Sequence, residues 1–395
     1  MGIPRRVVFT MAFATGAVVA NLYYAQPLED ALATAFHAST GQIGLIITLL
    51  QVGYAIGLAT LVPLGDLVER RRLMVIMLGV AVLGLIGMAA APGLAVECSA
   101  AVLVGVTVVA AQVIVPFAAH LAAESERGRV VGTVMSGLLI GILLSRSVAG
   151  FVAALAGWRA VFGLGALLTA IVAGLLWREL PAHPPATSLR YPALLRSVLR
   201  LIAQEPVLRV RMLYGALSFA TFSVFWTSSG FLLARPPYHW SQAAIGAFAL
   251  VGAAGAVAAK FAGGLADKGR SVPATGAFVL AMALSWVLLA LGGHNAIALL
   301  IGVAGLDLGV QGTHITNQSL VYALRQDARS RLNTAYMTSY FLAGAIGSAL
   351  SALAYASGGW AAVCVLGAVF PVLACLVWLA EAALRRRARP ASATG

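Results

Sequence analysis

The chain has 395 residues, 61% hydrophobic and only 10% charged, with 26 Lys+Arg against 13 Asp+Glu and a formal charge of +13. Soluble domains carry about 25% charged residues and disordered chains are poor in apolar ones, so both classes are excluded. The basic residues fall between long apolar runs, which argues against nucleic acid as a partner and for a polytopic membrane protein; at about 20 apolar residues per crossing there is room for roughly twelve helices.

Twelve apolar stretches are predicted to span, near residues 8–32, 43–64, 73–92, 99–120, 130–155, 160–177, 208–233, 244–265, 274–292, 296–320, 332–356 and 360–381. The first follows Arg5 and Arg6 and reads as a spanning helix rather than a cleaved leader, because it holds Asn21, Tyr23, Tyr24 and Gln26. Glu29 and Asp30 end it and are expected to be solvated. The second contains Gln51 and Tyr54 and is followed by Asp66, Arg70 and Arg71. The third has no polar side chain, the fourth carries Gln112, and the fifth carries Arg146. Between the sixth and seventh lies the longest loop, about Arg178 to Arg209, with Pro181, Pro184, Pro185 and Pro192; its helix-like part is expected on the membrane surface. Trp226 lies in the seventh stretch and Lys260 near the end of the eighth, where it is expected to snorkel. The tenth stretch carries Asp307, Gln311, His314 and Gln318 at helical spacing, flanked by Asn317. Spans three, six, nine and twelve are nearly bare of polar side chains and are predicted to face lipid.

The arginines orient these spans. With the N-terminus in the cytoplasm, 22 basic residues fall in cytoplasmic segments, while only Arg159 and Arg235 fall outside. Both termini are therefore expected inside, in a bacterial inner membrane. The domain reading is residues 1–177 as a six-helix bundle, 178–207 as a central cytoplasmic loop, 208–381 as a second six-helix bundle, and 382–395 as a cytoplasmic tail. The halves look duplicated: Asp66 with Arg70 follows span two as Asp267 with Arg270 follows span eight, and Arg127-Gly128-Arg129 follows span four as Arg329-Ser330-Arg331 follows span ten. Parallel six-helix repeats around a central site are a transporter architecture.

With these features the chain resembles the major facilitator superfamily over its whole length. The superfamily motif after span two is Gly-x-Leu-x-Asp-Arg-x-Gly-Arg-Arg. The segment from Val62 to Arg71 keeps Leu64, Asp66, Arg70 and Arg71 and departs at Val62, Leu67 and Glu69; a shorter copy runs from Gly263 to Arg270. The resemblance implies an all-α fold of twelve helices in two pseudo-symmetric bundles, with Asp66, Arg70, Arg71, Asp267 and Arg270 as an inner gate. Physically, a carboxylate at a helix end can pair with nearby arginines and a neighbouring helix N-terminus; the alternative is a solvated loop whose arginines only set topology. The superfamily's antiporters carry Gly-x8-Gly-x3-Gly-Pro-x2-Gly in span five. Here Gly132 and Gly141 match, Ser145-Arg146 replaces Gly-Pro, and Ala149 stands at the last glycine with Gly150 beside it. The segment Asn21 to Leu28, together with Asp307-Leu308-Gly309-Val310-Gln311, resembles a bacterial subgroup of sugar-efflux or drug-efflux permeases.

Asp307 is the one acid in the middle of a predicted span, about 16 Å deep from an outer start near Ala296. A carboxylate there is costly unless paired or protonated, so it is a candidate for proton coupling, with a structural hydrogen bond as the alternative. Three readings of Arg146 stay open: an ion pair with Asp307, a contact for an anionic substrate group, or a snorkelling structural residue. His314 is a candidate relay or a fixed hydrogen-bonding group. Asn21, Tyr23, Tyr24, Gln26, Gln51, Tyr54, Gln112, Trp226, Gln311 and Asn317 are candidate cavity residues, with interhelical hydrogen bonding as their alternative. No P-loop is present, since Lys260 and Lys268 follow Ala259 and Asp267, and no His precedes a Glu. No ATP motor, metal or cofactor is therefore expected, and no enzyme. Cys98, Cys364 and Cys375 have no metal-ligand spacing. The expected protein is a monomeric secondary transporter whose partners are the bilayer, protons and a small organic substrate. Proton-coupled efflux is the first reading, organic-anion uptake or exchange through Arg146 the second, and a non-transporting sensor the third.

Overall fold

The computed structural model describes residues 3–182, 190–252, 271–325 and 328–387, and among these there is no strand. Asp267 and Arg270, and with them Lys260 and Lys268, lie outside the described residues. Nine described helices are long and apolar enough to cross a membrane.

The first predicted span is not one helix. Helix α1 runs Arg5–Ala20, and the chain then tightens, with Asn21, Leu22 and Tyr23 bonding three residues back to Val18, Val19 and Ala20. The Asn21 side chain donates to the Val18 carbonyl at 3.1 Å, and Pro27 supplies no N–H to the short 3-10 turn Gln26–Leu28. Helix α2, Glu29–Phe36, leaves at a new angle and ends at His37, whose φ is 49°. The unwound stretch thus carries most of the polar residues expected of span one.

Helix α3, Thr40–Leu64, starts on a capping box of Ser39 and Gln42. Helix α4 is Arg70–Ala89. The fourth predicted span is α5, Leu94–Thr107, and α6, Ala110–Leu121, separated where Ala111 and Gln112 bond back to Val108 and Val109. Helices α7, Arg127–Ala156, and α8, Trp158–Glu179, meet at Gly157, whose φ of 82° a side chain would resist. Helix α9, Tyr191–Gln204, occupies the central loop. It buries Leu194, Val198 and Leu201, exposes Arg196 and Arg200, and is tied to α3 by Tyr191 Oη on the Thr60 carbonyl at 2.9 Å.

The C-terminal half begins with α10, Pro206–Ala234, which is buried almost throughout. Helix α11, Gln242–Phe248, continues as a 3-10 turn to Gly252. Helices α12, Ser271–Leu291, and α13, Ala296–Leu324, follow, the latter capped by Asn295. The final helix α14, Arg329–Arg387, contains a non-helical residue, Gly359, at φ 61° and ψ −152°. The chain reverses there. Before it, Tyr336 packs on Gly215 and Gly347 on Ala220; after it, Gly367 meets Thr221 and Glu381 meets Arg211.

Exposed Leu83 on α4, Leu167 on α8, Leu284 on α12 and Val365 on the last part of α14 give these helices their lipid-facing sides. Close packing in the interior depends on small residues. A Cβ at Gly141 would sit 2.3 Å from the Gly16 carbonyl oxygen, and one at Gly137 would sit 2.2 Å from that of Ala12, so α1 and α7 touch backbone to backbone.

The arginine-rich end of the molecule is tied by ion pairs. Arg6 bonds Glu179 at 2.7 Å, and the fully buried Arg211 on α10 bonds Glu381 on α14 at 2.6 Å. Removing one partner of a buried pair costs about 3 kcal/mol or more, whereas removing both can be neutral. Glu381→Gln is therefore expected to lower the thermal midpoint of the detergent-solubilised protein. Combining it with Arg211→Met is expected to recover most of the loss, and equal loss in the double variant would contradict this.

Candidate functional site

A cavity of about 110 Å³ opens between the two halves. Its N-terminal-half wall is Tyr23 from the unwound segment after α1, Tyr54 on α3, Gln112 on α6, and Met135, Leu138, Leu139 and Ile142 on α7. The opposite wall is Phe219 and Phe222 on α10, Gln311, His314 and Gln318 on α13, and Met337, Tyr340 and Phe341 on α14. Tyr54 Oη accepts from Gln112 Nε2 at 3.2 Å, and His314 Nδ1 lies 3.1 Å from Tyr336 Oη. Phe219 stacks on Tyr340 with centroids 4.1 Å apart. The cavity therefore offers aromatic faces and a few polar groups, the usual make-up of a small-molecule site.

At its roof, a smaller recess shares Leu139, Ile142, Phe222 and Gln311 with the cavity and adds Arg146, Gly252 and Asp307. Arg146 is 4% exposed. Its guanidinium lies 4.2 Å from the Trp226 ring centroid, 4.7 Å from that of Tyr23 and 5.7 Å from that of Phe222. Its Nε donates to Gln26 Oε1, and its Nη2 has no partner among the described residues. Asp307, also 4% exposed, accepts from Trp226 Nε1 at 3.3 Å, and its other oxygen faces Gly252. The two charges share one recess but have different partners, and a direct Arg146–Asp307 ion pair, one of the three open readings of Arg146, is not formed in this state. Both touch one indole, the cation at its face and the carboxylate at its N–H. Arg146 does not snorkel.

Several expected cavity residues lie elsewhere. Asn21 donates to Thr169 Oγ1 on α8 at 3.1 Å, and both Asn21 and Tyr24 pack on Gly165, so they join α1 to α8. Gln51 accepts from Ser223 at 3.3 Å and fills the space over Gly344, between α3, α10 and α14. Asn317 is fully buried and does not line the cavity. Gln26 and Trp226 line a small pocket next to the recess, which shares Arg146 with it, rather than the main cavity. At the arginine-rich end Asp66 bonds Arg70 at 2.9 Å, while Arg71 reaches Glu69, the Leu180 carbonyl and the Trp177 ring. All these partners belong to the N-terminal half.

Sequence reading missed Phe219 and Phe222 on α10 and Tyr340 and Phe341 on α14; Phe219 and Phe222 stand at helical spacing from Trp226, which is the signal for them. Two buried acids also escaped notice. Glu97 is fully buried. Glu29, expected to be solvated, is fully buried as well, because α2 folds across α10 where Gly230 leaves room for its carboxylate.

Opposite the arginine-rich end, the halves are in contact. A Cβ at Gly150 on α7 would lie 2.4 Å from the Gln242 carbonyl oxygen on α11; Ser147 Oγ donates to the Gly246 carbonyl at 2.8 Å; and Arg235 bonds Asp30 at 3.3 Å. The cavity is thus closed on that side.

The sequence profile of the Major Facilitator Superfamily matches residues 8–327. The chain belongs to the major facilitator superfamily. Like that family's members it is a multi-pass membrane transporter. It is 50% identical over 372 residues to the Uncharacterized transporter YgaY of Escherichia coli O157:H7, covering 94% of each chain. It is 33% identical over 374 residues to Probable transporter SCO4007 of Streptomyces coelicolor, covering 94% of this chain and 86% of that one. In three dimensions it superimposes, with a TM-score of 0.78 and 14% identity over 98% of both chains, on a bacterial homologue of the human lysosomal transporter Spinster in an inward-facing, unoccupied conformation.

The far-end closure in this superfamily member is directly testable. Gly150→Leu cannot fit against α11 without separating it from α7. In a protein cleared of Cys98, Cys364 and Cys375, a cysteine at buried Ser229 is expected to react with a water-soluble thiol reagent at least about tenfold faster when Gly150→Leu is added. An unchanged rate would show that this contact does not hold the far side shut.

Proposed function

We propose that this transporter exports a small organic compound in exchange for protons by alternating access. Residues 1–177 and 208–381 would be the two rocking bundles, and the arginine-rich end would face the cytoplasm of a bacterial inner membrane. The described state would then be inward-open. Three features support that: the far-end contacts, the cavity on the arginine-rich side of the recess, and the likeness in shape to a relative captured facing inward. In this state the Asp66–Arg70 cluster has, among the described residues, N-terminal-half partners alone; its gating role belongs to the opposite state, when the arginine-rich ends close.

The observation that carries proton coupling is the setting of Asp307. It is buried at the meeting point of the halves and, among the described residues, accepts one hydrogen bond, from Trp226, with no direct ion pair. A carboxylate not held in a direct ion pair can gain and lose a proton as its surroundings change, and its charge then alters the balance between the two bundles. Exchange rather than symport draws support from the partial antiporter pattern of span five, in which Gly141 packs closely on Gly16 of α1. One chain encloses the whole cavity, so a monomer suffices.

The second reading, uptake or exchange of an organic anion, is favoured by Arg146 Nη2, which has no partner among the described residues. Asp307 opposes it, since an anion entering the recess meets a carboxylate unless that group is protonated. The two readings differ in the sign of proton movement: export by exchange brings protons in as substrate leaves, whereas anion symport moves both the same way.

Reconstituted vesicles containing a pH dye resolve this. A transported compound is expected to evoke proton flux opposite to its own movement, and Asp307→Asn is expected to abolish that flux, a loss of about tenfold or more, while keeping the protein folded. Substrate-evoked proton flux that persists in the variant would remove Asp307 from the mechanism.

A further inference from the structure

Resting on that reading, we infer that the substrate is a zwitterion of the amino-acid type, with its carboxylate on Arg146, its ammonium on Asp307 and an apolar or aromatic body in the cavity below. The recess holds one fixed cation and one carboxylate, both buried and each bound to partners that leave capacity unused. A ligand bearing only a negative charge satisfies Arg146 but adds repulsion at Asp307. A ligand bearing only a positive charge does the reverse. A neutral ligand displaces water and leaves both charges without new partners, which is costly in a site of low polarity. Only a compound carrying both charges answers both residues.

The geometry adds polarity to this match. Trp226 holds the cation on its face and the carboxylate at its N–H edge, so each keeps its own partners and no direct ion pair joins them. Tyr23 and Gln26 hold the guanidinium from the other side, leaving Nη2 as its unused donor. Gln311 lies on the floor common to recess and cavity, within the same wall as the Phe222 ring. A head group seated in the recess therefore directs its body toward Phe219, Tyr340 and Phe341.

The same arrangement explains exchange. The substrate ammonium and a proton compete for Asp307. With the substrate bound, Asp307 is ionised and paired; when the amine leaves, a proton neutralises the carboxylate and Arg146 remains caged. Each occupant excludes the other, and no bond other than the carboxyl O–H forms or breaks.

Four compounds of one shape test this: L-phenylalanine, phenethylamine, 3-phenylpropionate and 3-phenyl-1-propanol. Binding is measured by thermal shift or calorimetry on the purified protein, and proton flux in vesicles. L-Phenylalanine is expected to bind at least about tenfold tighter than the other three. Arg146→Gln should remove its advantage over phenethylamine, and Asp307→Asn should remove its advantage over 3-phenylpropionate. This crossed pattern is one that a merely structural loss would not produce. Equal or tighter binding of the amine, the acid or the alcohol to the unaltered protein overturns the inference, as does no binding of any of the four at millimolar concentration. If phenethylamine or the acid drives proton flux while the amino acid is inert, coupling stands and the zwitterion assignment falls. If the amino acid binds in the crossed pattern and moves without proton flux, the assignment stands and coupling falls.

Discussion

The guanidinium of Arg146 resting on the indole of Trp226 is the contact on which the centre of this molecule depends. An isolated arginine at this depth costs about 3 kcal/mol on insertion scales, so it persists only where something offsets that cost. Three aromatic faces and the Gln26 carbonyl oxygen do so, a desolvated cation–aromatic contact alone contributing about 2 kcal/mol. The partners come from both halves: Arg146, Gln26 and Tyr23 from one, Phe222 and Trp226 from the other. The cage therefore joins the halves at the cavity roof without a salt bridge, and leaves Asp307 beside it held by one weak hydrogen bond.

The irregular first span sits at this cage. Tyr23 and Gln26, three residues apart, share a face, and the tightened turn from Asn21 to Leu28 holds both at the guanidinium. Asn21 serves that turn by bonding backward to Val18 and sideways to Thr169, which explains its absence from the cavity. The same economy appears in α7. Gly137 and Gly141 lie flat on α1 at Ala12 and Gly16, and Gly150 lies flat on α11, so Arg146 projects from a helix closely seated on both.

Much of this architecture was legible beforehand. Spans, short loops and lipid-facing helices follow from apolar run length and from the scarcity of polar residues at Leu83, Leu167 and Leu284, which is a matter of transfer energy alone. The face of α13 bearing Asp307, Gln311, His314 and Gln318 was also legible, because helical spacing is local. Harder to read was which of two faces a polar residue takes. Gln51 and Asn317 are as polar as Gln112 and Gln311, yet they bond between helices or lie buried behind the wall, and only the rotation of α3 and α13 decides it. Glu29 was misread for a tertiary reason: the gap at Gly230 that accepts its carboxylate is 201 residues away in sequence. Matched depth left the pairing of Arg146 with Asp307 open, because depth says nothing about the Trp226 indole that both side chains touch.

What separates the competing accounts of this transporter is whether Asp307 changes protonation as the site fills. Infrared difference spectroscopy of the membrane-embedded protein reads this directly. Acidification should produce a carbonyl band of a protonated carboxyl that is missing in Asp307→Asn, and a bound substrate should remove it. A spectrum in which no such band appears, or in which the band persists unchanged when substrate binds, would contradict proton exchange at Asp307.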